Sequence, residues 1–121
     1  MENKKKLMQE KTAVDICEEK YPIMTREFKS IQEEQYQLFC KKQLNYGPSN
    51  ISGGSNLETE DDIRFSLTGL FFRMNDKIQR LKQLVVIGVK DNVGESVQDT
   101  FQDLSIYGVI AQIVKRQKWG H

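Results

Sequence analysis

Arg73, Lys77 and Arg80 stand at i, i+4 and i+7, so at 100° per residue three cations fall within about 60° of one helix face. These residue types suit phosphate: the planar fork of arginine grips phosphate oxygens bidentately, whereas lysine acts as a mobile point charge. A second cluster, Tyr46-Gly47-Pro48-Ser49-Asn50-Ile51, closes a long helical pattern and sets an aromatic ring beside a turn with free backbone N–H groups. A ring, a turn and a cationic stripe are the parts needed to hold a base and its phosphates. Tyr46, Gly47, Asn50, Arg73, Lys77 and Arg80 are therefore the candidate ligand-binding residues. Each also has a plainer role: the cations as a solvated helix face, Tyr46 as a packing ring with a wet hydroxyl, and Ser49, Asn50 and Ser52 as ordinary loop formers.

A carboxylate series adds a different chemistry. Glu95, Asp99 and Asp103 lie at i, i+4 and i+8, on one face, where they can hold a magnesium ion that in turn binds phosphate oxygens. The same three can pair with Arg73, Lys77 and Arg80 across a helix interface, each exposed pair contributing roughly 0–1 kcal/mol, or contact a ligand directly. The sequence leaves all three roles open.

Size and composition limit the choices. At 121 residues the chain has the length of one domain, whose core a partner subunit would help complete. A formal charge of +1 argues against a protein that coats extended nucleic acid, so any anion site is local. No apolar run approaches the ~18 residues of a membrane span. Cys17 and Cys40 have no metal-ligand spacing, and no signal-peptide pattern opens the chain; both read as reduced thiols of a cytosolic protein. The lone His121 is terminal, which leaves a Ser-His-Asp triad or a histidine metal centre without its parts.

The elements that must position these residues read as helices. Residues 1–22 form an arm or short helix, with Lys4-Lys5-Lys6 as a solvated end and weak apolar periodicity through Leu7, Met8, Val14, Ile16 and Cys17 up to Tyr21-Pro22. From Thr25 as N-cap, Phe28, Ile31, Gln35, Leu38, Phe39 and Lys42 share one face of a helix of about five turns ending at Tyr46-Gly47. Residues 48–60, rich in Ser, Asn and Gly, read as a flexible loop suited to a lid. A helix from about Glu60 to Val85 has Leu67, Leu70, Phe71, Met74, Ile78, Leu81 and Val85 as its core stripe, with the cations on its polar side. After a turn at Gly88 to Gly94, a last helix from Glu95 to about Lys115 carries Val97, Phe101, Leu104, Gly108 and Ala111 on one face. Its other side changes from carboxylates to Ile106, Ile110 and Ile113, an arrangement met by a subunit interface along the isoleucines. The fold class is all-α: a helical hairpin or bundle of three to four helices, oligomeric, as a single domain over 1–121.

The order Tyr46-Gly47-Pro48, Asn50-Ile51, Arg73, Asp76-Lys77, Arg80-Leu81, Glu95-Ser96, Asp99-Thr100, Asp103-Leu104, Tyr107-Gly108 and Trp119 resembles the phage and bacterial family known as nucleotide modification associated domain 1, over roughly residues 25–119. The resemblance implies an all-helical fold and a place in phage nucleotide metabolism or base modification. Helical pyrophosphohydrolases of the MazG type offer a contrast: they face a Glu-Glu-x-x-Glu helix with a Glu-x-x-Asp helix around magnesium. Here Glu33-Glu34 is followed by Gln37, and Glu95 by Asp99 at a spacing of four. An amide cannot supply the missing charge, so non-catalytic binding is preferred: sequestration of a nucleotide, such as a cyclic nucleotide immune signal, with no cofactor. Two alternatives stand beside it. One is a Mg2+-dependent nucleoside triphosphate pyrophosphohydrolase using Glu95, Asp99 and Asp103, helped by Asp61, Asp62 or a neighbouring subunit. The other is a structural accessory of a DNA-modification complex.

Overall fold

A computed structural model describes residues 10–121; the Lys4-Lys5-Lys6 end and the Leu7-Met8 pair lie outside them. The described residues are all-helical, and none of their helices is long and apolar enough to cross a membrane. The chain divides into two compact units, Met1–Gln37 and Leu38–His121.

In the first unit, α1 (Ala13–Lys20) opens on a reciprocal cap. The Thr12 hydroxyl accepts the Asp15 N–H at 3.2 Å, and the Asp15 carboxylate accepts the Thr12 N–H at 3.1 Å, answering two of the N–H groups a helix start leaves unpaired. Tyr21 ends α1, and α2 (Pro22–Tyr46) starts at once, its residues up to Gln37 in the first unit and those from Leu38 in the second. Proline is suited to a first helical position because its fixed φ fits and its missing N–H has no partner there. The start lies three residues before the expected N-cap: the Thr25 hydroxyl sits inside the first turn and donates to the Tyr21 carbonyl at 2.9 Å. At 25 residues, α2 is about seven turns rather than five. Its end is as read, with Gly47 at φ 70 donating to the Gln43 carbonyl at 2.8 Å, a left-handed stop that a side chain would strain.

The second unit is organised around a hairpin of α4 (Glu60–Leu81) and α5 (Val97–Lys115). Both start on hydroxyl caps: Thr59 accepts from Asp62 N–H at 3.1 Å, and Ser96 from Asp99 N–H at 3.0 Å. Asp62 and Asp99 thereby place negative charge at the positive ends of their helices. Beyond Leu81 the chain widens into π-helical turns over Lys82–Ile87 and stops at Gly88 with φ 85. The Ser/Gly/Asn segment contains the one-turn helix α3 (Ser49–Ser52). Its ends are fastened at two points: Trp119 Nε1 donates to the Pro48 carbonyl at 3.0 Å, and the Ser66 hydroxyl to the Ile51 carbonyl at 2.6 Å.

The core consists of Ile51, Leu57, Leu70, Ile110, Val114 and Trp119, with Phe39, Ile63, Leu67, Ile106, Tyr107, Ala111 and Ile113 packed against it. Two sequence expectations are overturned here. The isoleucine side of α5 is not a surface awaiting a subunit: Ile110 is only 4 % exposed, and Ile106 and Ile113 lean on the same cluster. The stripe expected inside α4 is partly outside, because Phe71, Ile78 and Val85 are 62 %, 51 % and 53 % exposed. What turns inward is the series Ser66, Leu70, Lys77 and Arg80: Ser66 reaches α3, Leu70 is in the core, and the last two reach α5 and the loop before it. Periodicity identified the amphipathic helix, but two adjacent arcs were candidates for the inside, and ion pairing allowed the more polar one to turn inward.

Candidate functional site

The cationic series splits into two structural roles. Lys77 bridges two carboxylates, with Nζ 3.0 Å from Asp103 Oδ2 and 3.2 Å from Glu95 Oε1. Burial alone would lower its pKa, but the hydrogen bonds and charges of Asp103 and Glu95 outweigh it, and the ammonium is held above the ordinary lysine value. Arg80, one turn on, ties the loop before α5 to α4. Its Nε lies 3.3 Å from the Thr100 hydroxyl and 3.7 Å from Glu95 Oε2, and its Nη2 contacts the Glu95 carbonyl and lies 3.4 Å from Asp91 Oδ1. Asp91 is also bound by the Val93 and Gly94 backbone N–H groups at 3.1 and 3.3 Å. The Val93 bond is the main cause, with Arg80 contributing, of a carboxyl held below the usual aspartate value.

Arg73 differs. Its Nη2 donates to the Asn50 carbonyl at 2.9 Å, and the side chain lines a cavity of about 200 Å³. The final turns of α2 supply Phe39, Lys42 and Tyr46 to its wall, Asn50 comes from α3, and Asp103 and Tyr107 come from α5. The wall is therefore aromatic on several sides, cationic at Lys42 and Arg73, and amide-bearing at Asn50 and Gln43. Four of the nine candidate residues of the sequence analysis, Tyr46, Asn50, Arg73 and Asp103, meet here from four separate elements. Gly47 forms the turn behind Tyr46, with open space where a Cβ would stand. Lys77 and Arg80 lie further along α4 in the ion pairs described.

Lys42, Gln43 and Tyr107 are polar lining residues that were not among the site candidates. The signal was present in Lys42, which is four residues before Tyr46 and so shares its helix face; it was read as the polar edge of an apolar stripe.

The carboxylate series does not assemble around a common point. Glu95 and Asp103 are joined through Lys77, while Asp99 is exposed in the first turn of α5. A divalent cation brought to Glu95 and Asp103 would meet the Lys77 ammonium already seated between them. Among the described residues no three His, Cys, Asp or Glu side chains are placed to share a metal ion. These side chains do not fit a magnesium site as they stand, since like charge at this spacing opposes the cation. Structural pairing is thus the role the geometry gives Glu95 and Asp103. No family model, curated protein or solved structure matches the chain.

Proposed function

We propose that this chain binds a nucleotide, linear or cyclic, at the cavity formed by the last turns of α2, α3 and the α4–α5 hairpin, and withholds it by mass action without hydrolysing it. The observation that carries the reading is the meeting of Tyr46, Tyr107, Asn50, Lys42 and Arg73 around one concavity. An aromatic wall stacks a base, amides read its edge or a ribose, and a guanidinium holds phosphate oxygens. One of the guanidinium's five N–H donors is engaged by the Asn50 carbonyl, a contact that also aims the fork. A cavity of about 200 Å³ is below the usual range for small-molecule pockets, so it receives the base or the sugar-phosphate, and the rest of the ligand lies across its rim beside Lys42.

The engagement of Glu95 and Asp103 by Lys77 favours binding over turnover, because water activation needs carboxylates free to hold a metal or a proton. Purified protein is incubated with a panel of linear and cyclic nucleotides and magnesium, washed, denatured, and the released material identified. Recovery of an intact nucleotide is the expected result. Magnesium-dependent pyrophosphate release would install a hydrolase in its place, and no retention of any nucleotide would leave a structural accessory of a larger complex.

A further inference from the structure

We infer that the face of the α4–α5 hairpin turned away from the cavity is the seat of a second copy of this chain, two hairpins closing into a four-helix bundle. The spacing is the first ground. On α4, Leu67, Phe71, Met74, Ile78 and Leu81 follow one another at intervals of four, three, four and three; on α5, Val97, Phe101, Leu104, Gly108, Ala111 and Lys115 follow at four, three, four, three and four. Both series keep the 3-4 repeat by which helices mesh side by side in bundles. Both lie on the same side of the hairpin, because Leu67, Ala111 and Lys115 line one cavity. The nucleotide cavity is on the other side, lined by Arg73, Asp103 and Ile110.

The second ground is that this seam is open. Phe71, Ile78 and Phe101 are 62 %, 51 % and 51 % exposed, and Met74, Leu81 and Leu104 are half-buried rather than buried; Leu67 and Ala111, at one end of the seam, rest against the chain's own core. A Cβ built on Gly108 would meet nothing, so the middle of the α5 seam has room for an incoming side chain. With two half-exposed phenylalanines each baring about 100 Å² and the aliphatic residues adding to them, the seam exposes on the order of 500 Å² of apolar surface. That is the size of the largest patch on an ordinary monomer. A two-fold pair would bury on the order of 1,000 Å² before its polar rim is counted, the threshold at which specific interfaces begin.

The third ground selects the occupant. An isologous contact asks a surface to be complementary to itself, and this one joins bulky Phe71 and Ile78 on one helix to small Gly108 and Ala111 on the other. The positions of the two series carry no carboxylate, and the charges beside them, Lys115, Arg116, Arg64 and Glu60, gather around Leu67 at one end, so two copies meet without a like-charge pair at the centre. The assembly leaves both nucleotide cavities open on the outer sides.

Light scattering on the full chain at about 100 μM tests this directly. The expected mass is twice 14.1 kDa, and Ile78→Glu with Phe101→Glu should weaken association at least a hundredfold while helical circular dichroism stays at the wild-type level. Should the charged pair lose helicity, Ile78→Gln with Phe101→Gln replaces it, with the same expectation. Phe28→Glu, in the N-terminal unit, should leave the pair intact. A single-copy mass for the wild type, a dimer that survives folded seam variants, or a dimer that Phe28→Glu dissolves would each overturn the inference.

Discussion

Replacing Lys77 by methionine keeps the apolar stem and removes the charge that joins Glu95 to Asp103. The magnitude follows from where the three groups sit. The Lys77 and Asp103 side chains are 23 % and 21 % exposed, and Glu95 39 %, so the cluster is between a surface pair, worth about 0–1 kcal/mol, and a buried pair, whose breakage costs about 3–5 kcal/mol. Glu95 keeps Arg80 as a partner at 3.7 Å, which limits the loss chiefly to Asp103. The expected destabilisation is about 1–2 kcal/mol at neutral pH, or a melting temperature lower by roughly 5–15 °C for a unit of this size. A pH signature accompanies it. Because the Lys77 pKa is raised in the folded chain above the ordinary 10.5, its contribution is complete below that value and is lost as pH rises through the higher folded value. Thermal melts followed by circular dichroism from pH 7 to pH 11.5 should therefore show the wild type losing its advantage over Lys77→Met in the alkaline range. Melting curves that differ by less than ~2 °C at neutral pH, with superimposable alkaline slopes, would show that the cluster is screened by solvent and holds nothing together.

Ile110, 4 % exposed in the core, makes a sharp contrast with the exposed seam. Ile110→Asp buries an unpaired charge and should unfold the second unit, losing the helical signal and not merely an oligomer contact. Trp119 is buried, meets Phe39 edge-on with centroids 6.0 Å apart, and donates to the Pro48 carbonyl. Trp119→Phe should cost about 0.5–1.5 kcal/mol in denaturant titration through the lost hydrogen bond, the Pro48 carbonyl keeping the Ile51 and Ser52 N–H groups, and wild-type tryptophan emission should be blue-shifted until unfolding.

The helical class and the hairpin were legible because α4 and α5 carry long 3.6-residue periodicity; their hydroxyl caps, Thr59 and Ser96, went unread, and the last helix was started at Glu95, ahead of its cap. Which arc of each helix faces inward was not legible. In α4 the apolar residues cover nearly half the circumference, and a lone sequence does not tell which half meets the neighbouring helix. The reading put Phe71 and Ile78 inside and the cations outside, whereas Lys77 and Arg80 turned inward once Glu95, Asp91 and Asp103 were there to receive them. In α5 the isoleucines were assigned to a partner because Phe101 and Ala111 had been assigned to the core; Ala111 does rest against the core, but Phe101 is outside and Ile110 takes the inner position. Tyr46, Asn50 and Arg73 were chosen for types and spacing that suit a nucleotide, and the fold brings all three to one place. Lys42 and Gln43 joined them only through the helix phase of α2, which an apolar stripe had masked. The early start of α2 was hidden by Thr25, a good cap by type whose hydroxyl bonds back along the helix instead.

The nucleotide site is tested most directly by calorimetric titration of the wild type, Arg73→Ala and Arg80→Ala with the nucleotide best retained from the panel. Arg73→Ala should lose about 1.5–3 kcal/mol of binding, roughly ten- to a hundredfold in affinity, with only a small change in melting, since its bond to Asn50 is exposed. Arg80→Ala should do the reverse, lowering the melting temperature through the lost contacts to Asp91, Glu95 and Thr100 while affinity at the cavity holds. Unchanged affinity in Arg73→Ala, or melting that falls in it as far as binding does, would contradict the account and make that guanidinium a helix tie.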